Sequence, residues 1–242
     1  MEYQMTLITI EGIDGVGKST LHAELERHLS DLNPIMTREP GGTEIGLVIR
    51  NILKSSEYPE ISPYAEAFLF ASDHAQHLHE IIIPGLKKNR LIISDRYYDS
   101  RLAYQQVTLS GVCSDPGLFL RTIHAGWTIS PDHTFLLILD PKKAYERSKH
   151  RGEVDRFEAT EQLEQFQKAF LALAEAESAR FTLIDAEHRA DEISLSIAAH
   201  IRALVTPRGD RVSRPEELPL KPLSEPYVRL SPHTAPNHPI EK

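Results

Sequence analysis

Cysteine is all but missing from this 242-residue chain: Cys113 stands alone. No intramolecular disulfide and no cysteine-based metal cluster can form, which fits a reducing compartment, and Cys113 reads as a small buried or loop residue. Positive charge is in deficit too. Lys and Arg number 27 against 35 Asp and Glu, a formal net charge of -8. That argues against a general nucleic-acid binder and confines any cationic site to a local cluster. Long apolar runs are absent, and the N-terminus lacks a basic segment followed by an apolar stretch. The expectations are therefore no membrane partner and a cytoplasmic location. Hydrophobic residues still make up 40%, enough for one sizeable α/β core.

Apolar runs of β character alternate with helical stretches, which predicts an α/β fold with a five-stranded, mostly parallel sheet flanked by helices. The expected strands are Leu7 to Glu11, Ile35 to Arg38, Leu91 to Asp95, Thr134 to Asp140 and Phe181 to Asp185. Helices are expected at about Lys18 to Asp31, Ile45 to Lys54, Pro63 to Lys87, Asp99 to Leu109, Pro116 to Ala125, Pro141 to Lys149, Ala159 to Ala179 and Ala190 to Leu204. Ser62 before Pro63 is a good helix start, and Pro84 should bend that helix near its end. Within it Ala65, Phe68, Leu69, Ala75, Leu78 and Ile82 recur at three- and four-residue intervals, which predicts an apolar core stripe. From Thr206 onward half of the chain's 16 prolines fall between Pro207 and Pro239. The domain is thus expected over 1–205 and a disordered tail over 206–242, with a proline-rich docking ligand as the alternative reading.

Gly12-Ile13-Asp14-Gly15-Val16-Gly17-Lys18-Ser19 follows the first strand and opens a helix, the required context for the G-x-x-x-x-G-K-[ST] phosphate-binding loop. Its backbone N–H groups form an anion nest at a helix N-terminus. Lys18 supplies a point charge for β and γ phosphates, and the Ser19 hydroxyl can ligate Mg²⁺. With Thr20 these residues are the candidate ATP site. A second constellation lies at the ends of the next strands, where Arg38 and Arg96 face the same crevice. Two arginines there exceed what one triphosphate needs and favour a phosphorylated acceptor, although each alone reads equally as a surface ion pair.

Glu11 to Thr20, Thr37-Arg38-Glu39-Pro40-Gly41-Gly42-Thr43, Asp95 to Gln105 and Arg151 to Arg156 resemble, in order and spacing, the motifs of the thymidylate kinase family. The resemblance runs from about Met5 to Leu204. It implies a P-loop NTPase fold with a lid at about residues 147–158, and Mg-assisted in-line transfer from ATP to dTMP, giving dTDP for dTTP synthesis. It also implies that Arg38 and Arg96 hold the acceptor phosphate and that Asp95, with Ser19, holds magnesium. Asp14 would accept from the sugar 3′-hydroxyl, Phe70 would lie against the thymine ring, and Tyr104 would disfavour a 2′-hydroxyl. A homodimer is implied as well. The chain has Gly15 where some members place arginine, so the lid arginines Arg147, Arg151 and Arg156 are the expected source of the catalytic guanidinium, Arg151 foremost. Lys18 and Arg96 complete the catalytic set.

Two positions depart from the family pattern, which has arginine at His74 and a small polar residue at Arg101. Phe70 and His74 share a helix face and are expected to touch one ligand. Arg101, Tyr104 and Gln105 share another. Either Arg101 reaches the base edge while His74 yields space, or the pocket serves dUMP or a modified pyrimidine nucleotide. A phosphate-loop ATPase or switch is the reading outside this class. His22, His28, His77, His79 and His124 show no metal-ligand pattern, and Trp127 is expected to anchor a loop.

Overall fold

The computed structural model describes residues 7–55, 58, 60–150 and 160–205. Five short apolar segments form the strands: β1 (Leu7–Glu11), β2 (Ile35–Arg38), β3 (Ile92–Asp95), β4 (His133–Ile138) and β5 (Phe181–Asp185). All pair in parallel in the order β2-β3-β1-β4-β5. β1 and β4 are buried at every residue, whereas the edge strands β2 and β5 are buried only in part. A parallel sheet covered on both faces demands that pattern. β4 starts one residue earlier than expected and stops at Ile138, where its ladder with β5 ends at Asp185.

The cover is made by α1 (Lys18–His28), α2 (Glu44–Lys54), α3 (Pro63–His77), α4 (Ile83–Lys87), α5 (Tyr98–Thr108), α6 (Pro116–His124), α7 (Pro141–His150), α8 (Thr160–Ala176) and α9 (Ala190–Val205). Side-chain caps set three of their starts: Thr43 accepts from Gly46 N–H, Ser62 from Ala65 N–H and Asp115 from Leu118 N–H. Each satisfies an amide that the helix itself leaves without a partner. α1 is entered through Gly17 at φ 102° with no side-chain cap, so its first amides remain available to an anion. Ile8 and Ile10 join Leu21, Leu25, Phe135, Ile197 and Ile201 in the main core, while Leu7 joins Ile92, Leu78, Ile82 and Tyr97 in a second cluster.

The expected apolar stripe of α3 needs correction. Ala65 and Ala75 are exposed and Phe68 is 51% exposed. The buried face carries Glu66, Ala67, Asp73, His74 and His77 instead, because those polar groups meet partners from β2, α5 and the segment after β2. A π turn over Leu78–Ile82 then joins α3 to α4, with Ile83 N–H bonded to Leu78 O. The wider turn advances the helical register ahead of Pro84 and brings Leu78 and Ile82 into the core.

Candidate active site

The register aligns the ends of the central strands, with Ile10 opposite Asp95 and Arg38 opposite Asp95. The loops after β1, β2 and β3 therefore open on one edge. There they bound a cavity of about 560 Å³ lined by Asp14, Gly15, Gly17, Lys18 and Ser19 of the first loop, and by Arg38, Phe70, Asp95, Arg96, Arg101, Tyr104 and Gln105 from beyond it. Gly12, Ile13, Val16 and Thr20 do not line it. Ile13 and Val16 are core anchors under the loop.

Glu11 is fully buried at the end of β1 and organises the next strand end. It accepts from Tyr97 N–H at 2.8 Å and from the Ser100 hydroxyl at 2.6 Å. Burial and the neighbouring Asp99 carboxylate push its pKa up to about 8. Between these contacts Arg96 adopts φ 66°, a left-handed backbone that a non-glycine residue rarely takes. Its N–H bonds to Ile10 O at 3.0 Å. The guanidinium donates to Gly12 O (3.0 Å), Ser100 Oγ (2.9 Å), Asp14 Oδ1 (2.6 Å) and the Tyr104 hydroxyl (3.1 Å). Tyr104 in turn donates to Asp14 Oδ2 at 3.0 Å. Burial alone would raise the Asp14 pKa, but Arg96 and Lys18 hold it well below the carboxylate range. Lys18 donates to Ile13 O at 2.8 Å, and burial with the nearby Arg96 lowers its pKa to about 8. An incoming phosphate dianion reverses that shift by supplying the opposite charge.

Ser19 Oγ donates to Asp95 Oδ2 at 3.1 Å. The other carboxylate oxygen, Oδ1, is buried and meets no hydrogen-bond partner among the described residues. A hydroxyl beside a carboxylate with an oxygen to spare is the hard-oxygen donor set that a magnesium ion prefers. These two residues fit the ion expected from the sequence.

A buried polar network that sequence reasoning missed reaches the cavity wall through Glu39 and Arg101. Glu39 Oε1 accepts from His74 Nδ1 and His77 Nδ1, both at 2.7 Å, and Oε2 faces Arg101 Nε at 3.8 Å. His74 Nε2 bonds to the Thr128 hydroxyl and His77 Nε2 to that of Thr37. Burial would raise the Glu39 pKa, yet His74, His77 and Arg101 together keep it ionised. His74 is thus fully buried and does not line the cavity. The expectation that it shares a ligand with Phe70 is corrected: Phe70 lines the wall, whereas His74 is buried between Glu39 and Thr128. His124, which shows no metal-ligand pattern in the sequence, contacts Arg101 at 3.1 Å. Trp127 donates to Ile123 O and stacks on His124.

Arg50, Leu53 and Lys54 of α2 also line the cavity, and Arg50 donates to Pro40 O at 3.1 Å. The sequence signal was present, since Arg50 and Lys54 are one turn apart on the helix that opens just after Thr43. Arg147, expected in the lid, donates to Ala186 O at 3.3 Å and does not line the cavity. Its neighbour Ser148 does. Arg151, Arg156 and the tail from residue 206 lie outside the described residues. No helix among the described residues is long and apolar enough to cross a membrane.

The family model described as thymidylate kinase matches residues 10–197. A "Probable thymidylate kinase" of Methanospirillum hungatei is 50% identical over 179 residues, covering 74% of this chain and 85% of the relative. Relatives of the same description in Methanoculleus marisnigri and Methanocorpusculum labreanum are 48% and 43% identical, covering 86% and 82% of this chain and 97% and 98% of theirs.

Proposed function

The chain belongs to the thymidylate kinase family, and from that premise we propose that it phosphorylates dTMP to dTDP with MgATP as the donor. One observation carries the reading: a triphosphate loop and a separate cationic wall of Arg38, Arg50 and Arg96 share a single cavity with an aromatic side chain, Phe70. That is provision for two anionic groups and a base.

In this reading the amides of Gly15 to Ser19 and Lys18 take the donor phosphates, and Arg38 and Arg96 take the acceptor phosphate, each through a guanidinium fork suited to paired bonds. Ser19 and Asp95 hold Mg²⁺, which supplies charge neutralisation when bound. Tyr104 and Asp14 border the sugar, with Asp14 accepting from the 3′-hydroxyl, and Phe70 lies against the base. Arg151 of the lid meets the transferred group. No general base is needed, because the acceptor is a phosphate oxygen with a second pKa of about 6. Catalysis comes from positioning and from cations placed where charge develops.

The same reading extends to the assembly. Ile45, Val48 and Leu47 of α2 and Tyr64 and Phe68 of α3 are exposed, and α2 packs against α3. Exposed apolar side chains on two neighbouring helices are suited to a second copy of the chain. The catalytic unit is the region up to residue 205, acting in the cytoplasm.

ADP release by the purified full chain with MgATP, in the presence of dTMP, dUMP, dCMP, dGMP or no acceptor, tests the proposal. Turnover dependent on dTMP is expected. Equal turnover without an acceptor would favour an ATPase or switch.

A further inference from the structure

Asp99, in the first turn of α5, is fully buried and does not line the cavity. Arg180, the residue before β5, meets it with a paired fork: Nη1 donates to Oδ2 and Nη2 to Oδ1, both at 2.7 Å. The Thr134 hydroxyl of β4 completes the contact. It donates to Asp99 Oδ2 at 3.2 Å and accepts from Arg180 Nη1 at 2.8 Å. The backbone of Arg180 is tied to the same strand, Thr134 N–H donating to Arg180 O at 2.8 Å. Further along α5 the Tyr104 ring stacks on Phe166 of α8, with centroids 4.2 Å and planes 19° apart, and meets Phe170 edge-on at 6.0 Å. Phe166 and Phe170 are fully buried. Like Arg180, they do not line the cavity.

Both contacts lead to Arg96. Ser100, next to Asp99, accepts from Nη1 of Arg96, and the Tyr104 hydroxyl accepts from Nη2. These acceptors stand one turn apart on α5, so a rotation or slide of the helix would turn both guanidinium nitrogens together. A buried ion pair adds little net stability over apolar side chains of the same volume, but its paired bonds fix distance and direction. A flat ring stack on the next turn fixes the rotation.

We propose that Arg180 and Phe166 are positioning residues for Arg96, holding α5 so that both guanidinium nitrogens are aimed before the acceptor phosphate arrives. The proposal rests on the kinase reading above for the identity of that anion. Neither residue touches the substrate. Their contribution is that the rotamer freedom of a long cationic side chain is lost on folding and not on binding.

The test is calorimetric binding of dTMP and of thymidine, which lacks the phosphate, to the full chain, with turnover under MgATP measured in parallel. The variants are Arg180→Met, Arg180→Lys, Phe166→Leu and Arg96→Lys, with Arg180→Met and Phe166→Leu each also combined with Arg96→Lys. The ratio of the two affinities isolates what the phosphate contributes. In the unaltered protein it should be at least about tenfold, the scale of a hydrogen bond to a charged group. Arg180→Met and Phe166→Leu should each lower it by about threefold or more with thymidine binding unchanged, as for a misaimed contact. Arg180→Lys should recover part of the loss. In the Arg96→Lys background neither change should lower the ratio further, because residues that act through a third do not add. A merely structural role weakens both ligands alike and leaves the ratio where it was. Phe166→Leu removes no charge, so it separates aim from the long-range field of Arg180, and it carries the test alone if Arg180→Met does not fold. Equal losses for both ligands, full additivity with Arg96→Lys, or no phosphate contribution in the unaltered protein overturn the proposal, and persisting turnover then leaves the kinase reading intact. A ratio that collapses as expected without phosphoryl transfer from ATP upholds the proposal and sinks the kinase reading instead.

Discussion

A Cβ on Gly15 would stand 2.0 Å from the carbonyl oxygen of Ala144, so the phosphate-binding loop and α7 meet backbone to backbone. Gly15 also sits at φ 83°. Gly15→Ala should therefore cost about 2–4 kcal/mol through steric displacement and backbone strain together. Thermal unfolding measures the loss, and nucleotide affinity should fall with it because α7 can move only by dragging the loop. An arginine at this position has no room.

Glu11 gives a pH signature. Its pKa is about 8 in the folded chain against an ordinary 4.5. Between those values the folded chain keeps a proton that the unfolded chain has released, so stability falls as pH rises from about 4.5 to about 8. Glu11→Gln keeps an acceptor for Tyr97 N–H and has nothing to ionise. Its stability should match the parent near pH 5 and exceed it above pH 8, with denaturant unfolding at both pH values as the measurement. Glu11→Ala, which strips Tyr97 N–H of its buried acceptor, should lose about 1–3 kcal/mol throughout.

Arg96→Lys preserves charge and removes the fork. Four acceptors now share two guanidinium nitrogens, and one ammonium cannot meet that geometry. kcat/KM for dTMP should drop about 10²- to 10³-fold, mostly in kcat, as for loss of a donor aimed at developing charge. Steady-state kinetics with saturating ATP decide it. A change confined to KM would reduce Arg96 to a binding contact.

Phe68→Glu and Val48→Glu place charge on the exposed apolar face of α2 and α3. Light scattering after size exclusion should show a dimer for the parent chain and a monomer for either variant, with unfolding temperature unchanged where the site is surface only. A parent chain that runs as a monomer ends the idea directly.

Much of this was legible in the sequence. β1, β2 and β5 run where their apolar stretches predicted, and the first loop declared itself through glycines and lysine at fixed offsets. α3 was misread for a definite reason. A periodicity argument assumes that what is buried is apolar, whereas Asp73, His74 and His77 are buried because Gly41 N–H, Glu39 and Thr37 are there to meet them. The information sits in pairs 32 to 40 residues apart, not in any one helix. Arg101 stood out in the sequence, but its fixed orientation depends on Phe70 O and His124, which no local pattern reveals.

The strand order carries one more consequence, for the birth of the protein. Leu7 pairs with Ile92 and Ile8 with His133, so β1 cannot be flanked on both sides until more than half of the chain has left the ribosome. Loops that close over such distances make folding slow, and sheet edges without neighbours are open to wrong partners meanwhile. β1, which ends at the phosphate-loop motif, is complete only once β3 and β4, far along in sequence, have paired with it.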